Sequence, residues 1–185
     1  LMLHQPKTPY CFSCRYGVRR SSPARTAPGR FPAAPASRDK PKEFGDSIIC
    51  DHFSVGHEDE ARGIDDSRVS LLVYDCATTF RDAPTTRTKS SEDTTLALIE
   101  VLGDTVPKFA YSDNADEIKI AIQQLAPSGR PAAHSTRTPH RPQTMGLGER
   151  IIGIITERTK MILKASGLPH SFWTLATRHW CTYIL

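Results

Sequence analysis

The chain has 185 residues, 38% of them hydrophobic, which suits one domain with extensions better than two full domains. No run of 18 apolar residues occurs, and residues 1–9 lack the charged-then-apolar order of a secretory signal, so we expect neither a membrane span nor export. The net charge of +4 hides a division into three segments. Residues 1–42 hold nine Lys or Arg and one acid, and residues 43–126 hold seven Lys or Arg and seventeen acids. Residues 127–185 hold eight Lys or Arg and two acids.

The first half of the chain predicts a linker followed by strands. Residues 15–42 are rich in Arg, Ser, Ala and Pro with little to bury, which is typical of a flexible basic linker. Apolar, β-rich segments predict strands at 47–55, 68–75 and 78–86, with an acidic loop at 57–66. Three consecutive strands indicate an antiparallel meander.

The second half alternates helices with one more strand. Leu96, Ile99 and Leu102 recur at helical spacing and Gly103 follows directly, which predicts a capped amphipathic helix over 90–102. The segments after it predict a strand at 108–112, a helix at 116–125, a loop at 127–144 and helices at 147–166 and 171–183. The order β-β-β-α-β-α-loop-α-α indicates an α/β fold with a mixed sheet flanked by helices.

Three acids stand where chemistry, rather than solvation, would place them. Asp51 interrupts the apolar run of the first strand, where an unpaired carboxylate is costly. Asp113 ends the strand at 108–112, at the sheet edge where α/β proteins usually bind ligands. Glu149 lies early in the helix at 147–166. Singly, each has an ordinary explanation, because acids are favourable near helix N-termini and common in turns.

The pattern of the helix at 147–166 places Glu149 away from the core. We predict a buried row formed by Leu147, Ile151, Ile155 and Ile162. Glu149 then falls on the opposite face, and that face continues through Gly153, Thr156 and Lys160.

Spacing and neighbouring residues connect the three acids. Sixty-one residues separate Asp51 from Asp113, and thirty-five separate Asp113 from Glu149. Residues 111–114 (YSDN), 138–150 (TPHRPQTMGLGER) and 166–173 (SGLPHSFW) resemble blocks of retroviral and retrotransposon integrases, especially the copia-like polyproteins. The resemblance covers residues 44–183, and the retroviral members have the same 35-residue interval before their glutamate.

The resemblance implies a fold, a reaction and its cofactor. It implies a ribonuclease-H-like fold in which Asp51, Asp113 and Glu149 bind two Mg²⁺ or Mn²⁺ ions for phosphoryl transfer. The expected activity is trimming of element DNA and transfer of its 3′ ends into double-stranded target DNA. We expect a homo-oligomer in the nucleus, with a cytoplasmic particle stage. On this interpretation residues 44–185 are a catalytic core, truncated at its C-terminus.

Departures from the family pattern keep two alternatives open. Ala115 and Met145 replace a usual Gly and Asn, while Gly153 and Thr156 stand where retroviral members have lysines. A catalytically inactive remnant that only binds DNA or a partner is therefore the main alternative. A ribonuclease-H-like nuclease that cuts RNA in a hybrid is the other, which the 138–150 block disfavours.

The amino-terminal cysteines suggest part of a zinc site. Cys11 and Cys14 have the C-x₂-C spacing of half a tetrahedral site, and His4 is one more potential ligand. The resemblance implies that residues 1–16 are the remnant of a zinc-binding domain and residues 17–43 the linker. Two free thiols in a disordered tail are the alternative interpretation.

Basic and amide side chains supply the candidate DNA contacts. The linker could screen phosphates or be solvated. The candidates in and after the core are Asn114, His134, Arg137, His140, Arg141, Lys160 and Lys164. For the two lysines, a solvated helix end is the alternative.

Overall fold

The computed structural model describes residues 41–56, 62–113, 115–125, 133–136 and 146–183. Within these ranges the strands are β1 (Ile48–Phe53), β2 (Val69–Asp75), β3 (Arg81–Asp82), β4 (Thr85–Thr86), β5 (Phe109–Ser112) and β6 (Ala133–Thr136). The α-helices are α1 (Ser91–Leu102), α2 (Asp116–Gln124), α3 (Gly146–Ser166) and α4 (Trp173–Tyr183), the last preceded by a 3₁₀ turn at His170–Phe172. The predicted α/β class is confirmed. Residues 1–40, which include the cysteine pair and all but the last residues of the basic linker, lie outside the described residues.

The strands form one mixed sheet, as the element order predicts. Its order is β3-β2-β1-β5-β6, with β4 also paired to β2. β1 runs antiparallel to β2 and parallel to β5, and β5 runs parallel to β6. The meander prediction is confirmed, because β2 is antiparallel to both β1 and β3.

The strand predicted at 78–86 is instead two short strands that both pair with β2. Between them lie Ala83 and Pro84, and proline has no N–H to donate to a ladder. The hydroxyl of Ser70 donates to the carbonyl oxygens of Ala83 and Pro84, at 2.9 and 3.1 Å. The break in the strand is thus held by a side chain of its neighbour.

The prediction of a loop over 127–144 was wrong in part, because this segment contains β6. This strand reads Ala-His-Ser-Thr, which lacks the alternation of apolar and polar residues that marks a half-buried strand. It lies at the edge of the sheet and pairs with β5. His134 therefore belongs to a strand, opposite Ala110, and not to a loop.

Helices cover both faces of the sheet. Ile48 and Cys50 of β1 pack with apolar side chains of α1 and α2. Phe53, on the other face of β1, packs with side chains of α3 and α4, including the fully buried Ile155 and Trp173. None of the described helices combines the length and apolar character needed to cross a bilayer.

The C-cap of α1 is as predicted, but its buried face agrees with the prediction only at Leu102. Gly103 adopts φ 57° and its N–H donates to the carbonyl of Ile99 at 2.8 Å, while Ser90 accepts from the N–H of Asp93 at 3.2 Å. Leu96 and Ile99 are 65% and 47% exposed. The buried side is formed by Thr94, Ala97, Leu98 and Leu102. The small Ala97 and Thr94 allow close approach to the sheet, which turns the larger Leu96 outward.

The prediction for the long helix needs one correction. Ile151 and Ile155 are buried as expected and Ile162 is partly buried, but Leu147 is 42% exposed. Gly148 takes the inward position, because a residue without a side chain lets the first turn of α3 lie directly on the sheet.

Candidate active site

The strand register brings Asp51 and Asp113 side by side. In the parallel pair β1–β5, Cys50 is the partner of Ser112. Asp51 directly follows Cys50, and Asp113 directly follows Ser112. Neighbouring strands lie about 4.8 Å apart. Side chains alternate between faces, and Cys50 belongs to the core on the α1–α2 side. The two aspartates therefore belong to the opposite, α3 side.

Close packing of α3 on β1 brings Glu149 to the same side. A Cβ on Gly148 would lie 3.0 Å from Cγ2 of Ile49, so the helix backbone touches this side chain. Ile49 and Asp51 are two residues apart on one strand and so share a face. Glu149 follows Gly148 in the first turn of α3 and is exposed. All three predicted acids thus lie on one side of the sheet.

The charges of the three acids act on one another. The pKa of Asp51 is raised to about 6, first by burial, then by the negative charge of Asp113 and, more weakly, by that of Glu149. A bond from the backbone N–H of His52 and the positive charge of Lys89 oppose the rise. A half-buried carboxylate beside two like charges is disfavoured unless it takes up a proton or a cation.

The carboxylates are not gathered around one point. Among the described residues, no three His, Cys, Asp or Glu side chains are arranged so that they could hold a metal ion. The carboxylate of Asp113 accepts a hydrogen bond from the N–H of Ala115 at 3.1 Å, and its carbonyl accepts one from the Ser112 hydroxyl at 2.7 Å. These bonds fix the turn from β5 towards α2.

Lys89, just before the helix on the opposite face of the sheet, is a cation whose charge acts on Asp51 and which the sequence did not single out. It is exposed and directly precedes Ser90, the N-cap of α1. Its charge lowers the pKa of both Asp51 and His52. No motif marks it, because its proximity to Asp51 arises only when α1 packs on the sheet.

His52 supports β1 from the other face. Its Nε2 lies 3.2 Å from the hydroxyl of Thr94, which itself donates to the Ser90 carbonyl at 2.7 Å. The hydroxyl therefore accepts from Nε2–H, and Nδ1 faces a carboxylate oxygen of Glu117 at 4.0 Å. Burial lowers the pKa of His52, against the pull of Glu117. This side chain lies between α1 and α2 behind the strand that carries Asp51.

The candidate DNA contacts are only partly described. Lys160 and Lys164 are exposed on α3, on the side that carries Glu149. His134 is placed in β6 by its backbone pairing. Outside the described residues lie His4, Cys11, Cys14, Asn114, Arg137, His140 and Arg141.

Two comparisons with known proteins identified no relative. No protein-family model matches the chain. A search of curated proteins likewise finds no significant match.

Proposed function

We propose that residues 44–185 are the catalytic core of a retrotransposon integrase with a ribonuclease-H-like fold. The core would trim the 3′ ends of element DNA and join them to target DNA with Mg²⁺ or Mn²⁺. One observation carries the proposal: Asp51 and Asp113, 62 positions apart, directly follow the paired residues Cys50 and Ser112 of the neighbouring parallel strands β1 and β5, and the helix bearing Glu149 packs on the same face. The mixed sheet with helices on both faces supports the fold.

The residues present fit a hard divalent cation by their chemistry. Asp51, Asp113 and Glu149 offer only carboxylate oxygens, which suit Mg²⁺ or Mn²⁺ better than Zn²⁺. Burial and, after it, repulsion by the neighbouring carboxylates raise the pKa of Asp51, and a bound cation would offset that repulsion. Binding requires the three side chains to turn towards one another. Bound ions would polarise the attacking oxygen and offset the charge of the leaving oxygen.

The transfer reaction balances without any redox partner. The oxygen of a DNA 3′-hydroxyl forms a bond to a target phosphorus while the bond from that phosphorus to a 3′ oxygen breaks. One proton leaves the attacking hydroxyl and one joins the leaving oxygen. In end trimming, water replaces the hydroxyl. The protein's own part is to hold the carboxylates in register and to keep the strand ends rigid behind them.

A catalytically inactive relative is the second candidate, and sequence departures favour it. Ala115 stands where the family has Gly, and Gly153 and Thr156 where retroviral members have lysines. Such a chain would fold and bind DNA or a partner without chemistry.

The test uses a short duplex with recessed 3′ ends, a supercoiled plasmid and Mg²⁺ or Mn²⁺. An active chain should join the duplex to the plasmid, and Glu149→Gln should abolish joining without lowering the melting temperature. A duplex ending in a dideoxynucleotide is the matched control, because it lacks the attacking hydroxyl and should not be joined.

Three other outcomes would contradict the proposal. Joining by Glu149→Gln at the native rate would remove the assigned role of this residue. Cutting of RNA in a hybrid, unaffected by the dideoxy end, would indicate a ribonuclease. A native chain that is neither active nor stabilised by Mg²⁺ would be the inactive relative, since a ligand that binds the folded state raises its stability.

A further inference from the structure

The pairing of β1 with β5 ends just before the two aspartates. Cys50 and Ser112 are the last pair of this parallel ladder, and β5 ends at Ser112. On the other side of β1, Asp51 still pairs with Leu72 of β2. The ladder between β1 and β5 therefore stops one residue short of fixing Asp51 against Asp113.

Asp113 and the first turn of α2 form one hydrogen-bonded unit. The N–H of Ala115 donates to the carboxylate of Asp113 at 3.1 Å, and the N–H of Lys119 donates to the carbonyl of Ala115 at 3.3 Å. Glu117 is the second residue of α2 and belongs to this turn. A side chain that holds the first turn of α2 in place therefore also holds Asp113.

The side chain of His52, the residue after Asp51, meets this turn. Only 3% of it is exposed, and its Nδ1 lies 4.0 Å from a carboxylate oxygen of Glu117. This distance is longer than a hydrogen bond, so the ring meets α2 by contact. The Nε2 of the ring lies 3.2 Å from the hydroxyl of Thr94, in the first turn of α1. Burial lowers the pKa of His52, so the ring is neutral at pH 7.5 and acts through its shape and its bond to Thr94.

We infer that His52 is a positioning residue for the metal site: packed between the first turns of α1 and α2, it holds the turn that carries Asp113 at a fixed distance from Asp51. The inference rests on the proposed function, in which both carboxylates bind the same pair of ions. His52 itself is directed away from those ions, because its side chain lies on the α1–α2 face and that of Asp51 on the α3 face. Replacing a residue that orients a metal ligand from behind typically costs about 10–100-fold in metal affinity or activity.

The test compares His52→Ala with two other variants at pH 7.5. His52→Gln keeps much of the bulk and a donor that can reach Thr94, so it should recover most of the native behaviour. Thr177→Val is the matched control. It also removes one polar group from a buried hydrogen-bonded pair, but it lies on α4, which carries none of the three acids.

The first measurement needs no metal. Amide hydrogen exchange, followed by NMR, reports how often the turn after β5 opens. His52→Ala should speed exchange of the N–H groups of Ala115 and Lys119 by about tenfold, because the turn loses its support. Thr177→Val should leave both rates unchanged, since these amides exchange by local opening and not by global unfolding.

The second measurement is Mg²⁺ binding by isothermal titration calorimetry, together with joining of the duplex to the plasmid. His52→Ala should raise the Kd for Mg²⁺ and lower kcat by about tenfold each, with the KM for DNA unchanged. His52→Gln and Thr177→Val should both stay within about twofold of the native values.

The two proposals fail in different ways. Native exchange at Ala115 in His52→Ala, or a native Kd for Mg²⁺ despite faster exchange, overturns the positioning role and leaves the proposed function intact. An equal loss in Thr177→Val overturns it as well, because general destabilisation would then be the cause. If the native chain neither binds Mg²⁺ nor joins DNA, the proposed function is overturned, and the exchange rates alone decide whether His52 holds the turn. Thr94→Val, which removes only the hydroxyl partner of His52, should change the same rates in the same direction and replaces His52→Ala if that variant does not fold.

Discussion

Gly148 lies so close to Ile49 that a Cβ on the glycine would be 3.0 Å from Cγ2 of the isoleucine. Ile49 is only 3% exposed and has little room to move. This contact sets the distance between the helix that carries Glu149 and the strand that carries Asp51.

Two glycine variants of α3 should therefore have opposite effects. Gly148→Ala should lower the free energy of unfolding by about 1 kcal/mol, because overpacking against Ile49 exceeds the gain in helix propensity. Gly153→Ala, at an open position in the same helix, should raise it by about 0.5–1 kcal/mol. Urea denaturation measures both values. Equal gains in stability from the two changes would contradict the close contact.

Asp51→Asn should stabilise the metal-free protein at neutral pH. The folded state raises the pKa of Asp51 from 3.8 to about 6, so the folded state holds this proton more tightly than the unfolded one. Above pH 6 the ionised carboxylate destabilises the fold, and the penalty disappears as the pH falls from about 6 to about 4. Asparagine should thus add up to about 2 kcal/mol at pH 7.5 and almost nothing at pH 4. Thermal unfolding across this range measures the difference, and a gain independent of pH would contradict the raised pKa.

Binding of Mg²⁺ should strengthen as the pH rises through about 6, because the cation competes with the proton on Asp51. Isothermal titration calorimetry at pH 5, 6 and 7.5 should give a Kd that falls by about tenfold in total as the pH rises from 5 to 7.5, with most of the fall between pH 5 and 6. Asp51→Asn should bind weakly at every pH. If the affinity of the native protein for Mg²⁺ did not change between pH 5 and 7.5, Asp51 would not be a ligand of the metal.

A pair of buried hydroxyls joins α3 to α4. The hydroxyl oxygens of Thr159 and Thr177 are 3.0 Å apart, and both residues are fully buried. Each single change to Val should cost about 1–2 kcal/mol, because it leaves the other hydroxyl without its partner. The double variant should cost less than the two single changes together, and a double-mutant cycle measures the coupling. Additive effects would mean that the two hydroxyls do not depend on each other.

Gly153→Lys should strengthen DNA binding on the proposed function. The position is exposed and open, so a lysine can be accommodated without displacing a neighbour. One additional phosphate contact should increase the salt slope by about 0.9. Gly153→Ala is the control, because it brings the same change in backbone freedom without the charge. If alanine alone improved binding as much, helix stability and not charge would be the cause.

Hydrophobic periodicity and helix-stop residues predicted most helices and strands, because these signals depend only on residues close together in the sequence. Gly103 ends α1 as expected, and Asp113 follows its strand directly. The buried face of α1 could not be predicted from hydrophobicity alone. Leu96 and Ile99 are exposed, because the small Ala97 and Thr94 pack against the sheet instead. The sequence pattern at residues 133–136 likewise gave no sign of β6, since an edge strand need not alternate.

The sequence predicts which residues form the candidate site but does not predict how they are arranged. The spacing of the three acids and the resemblance named Asp51, Asp113 and Glu149. Their common side of the sheet follows from the β1–β5 register and from Gly148, two long-range contacts that no local pattern contains. Lys89 went unnoticed for the same reason, because its electrostatic effect on Asp51 depends on the packing of α1.

Cys50 allows the rate at which β1 separates from the sheet to be measured directly. The thiol is completely buried in the sheet, and burial, with the nearby Asp51, raises its pKa to about 12. Alkylating reagents attack the thiolate, so Cys50 is inert while the strand stays in place. Its rate of alkylation therefore measures how often the strand that carries Asp51 separates from its neighbours, using a reporter that the chain already carries.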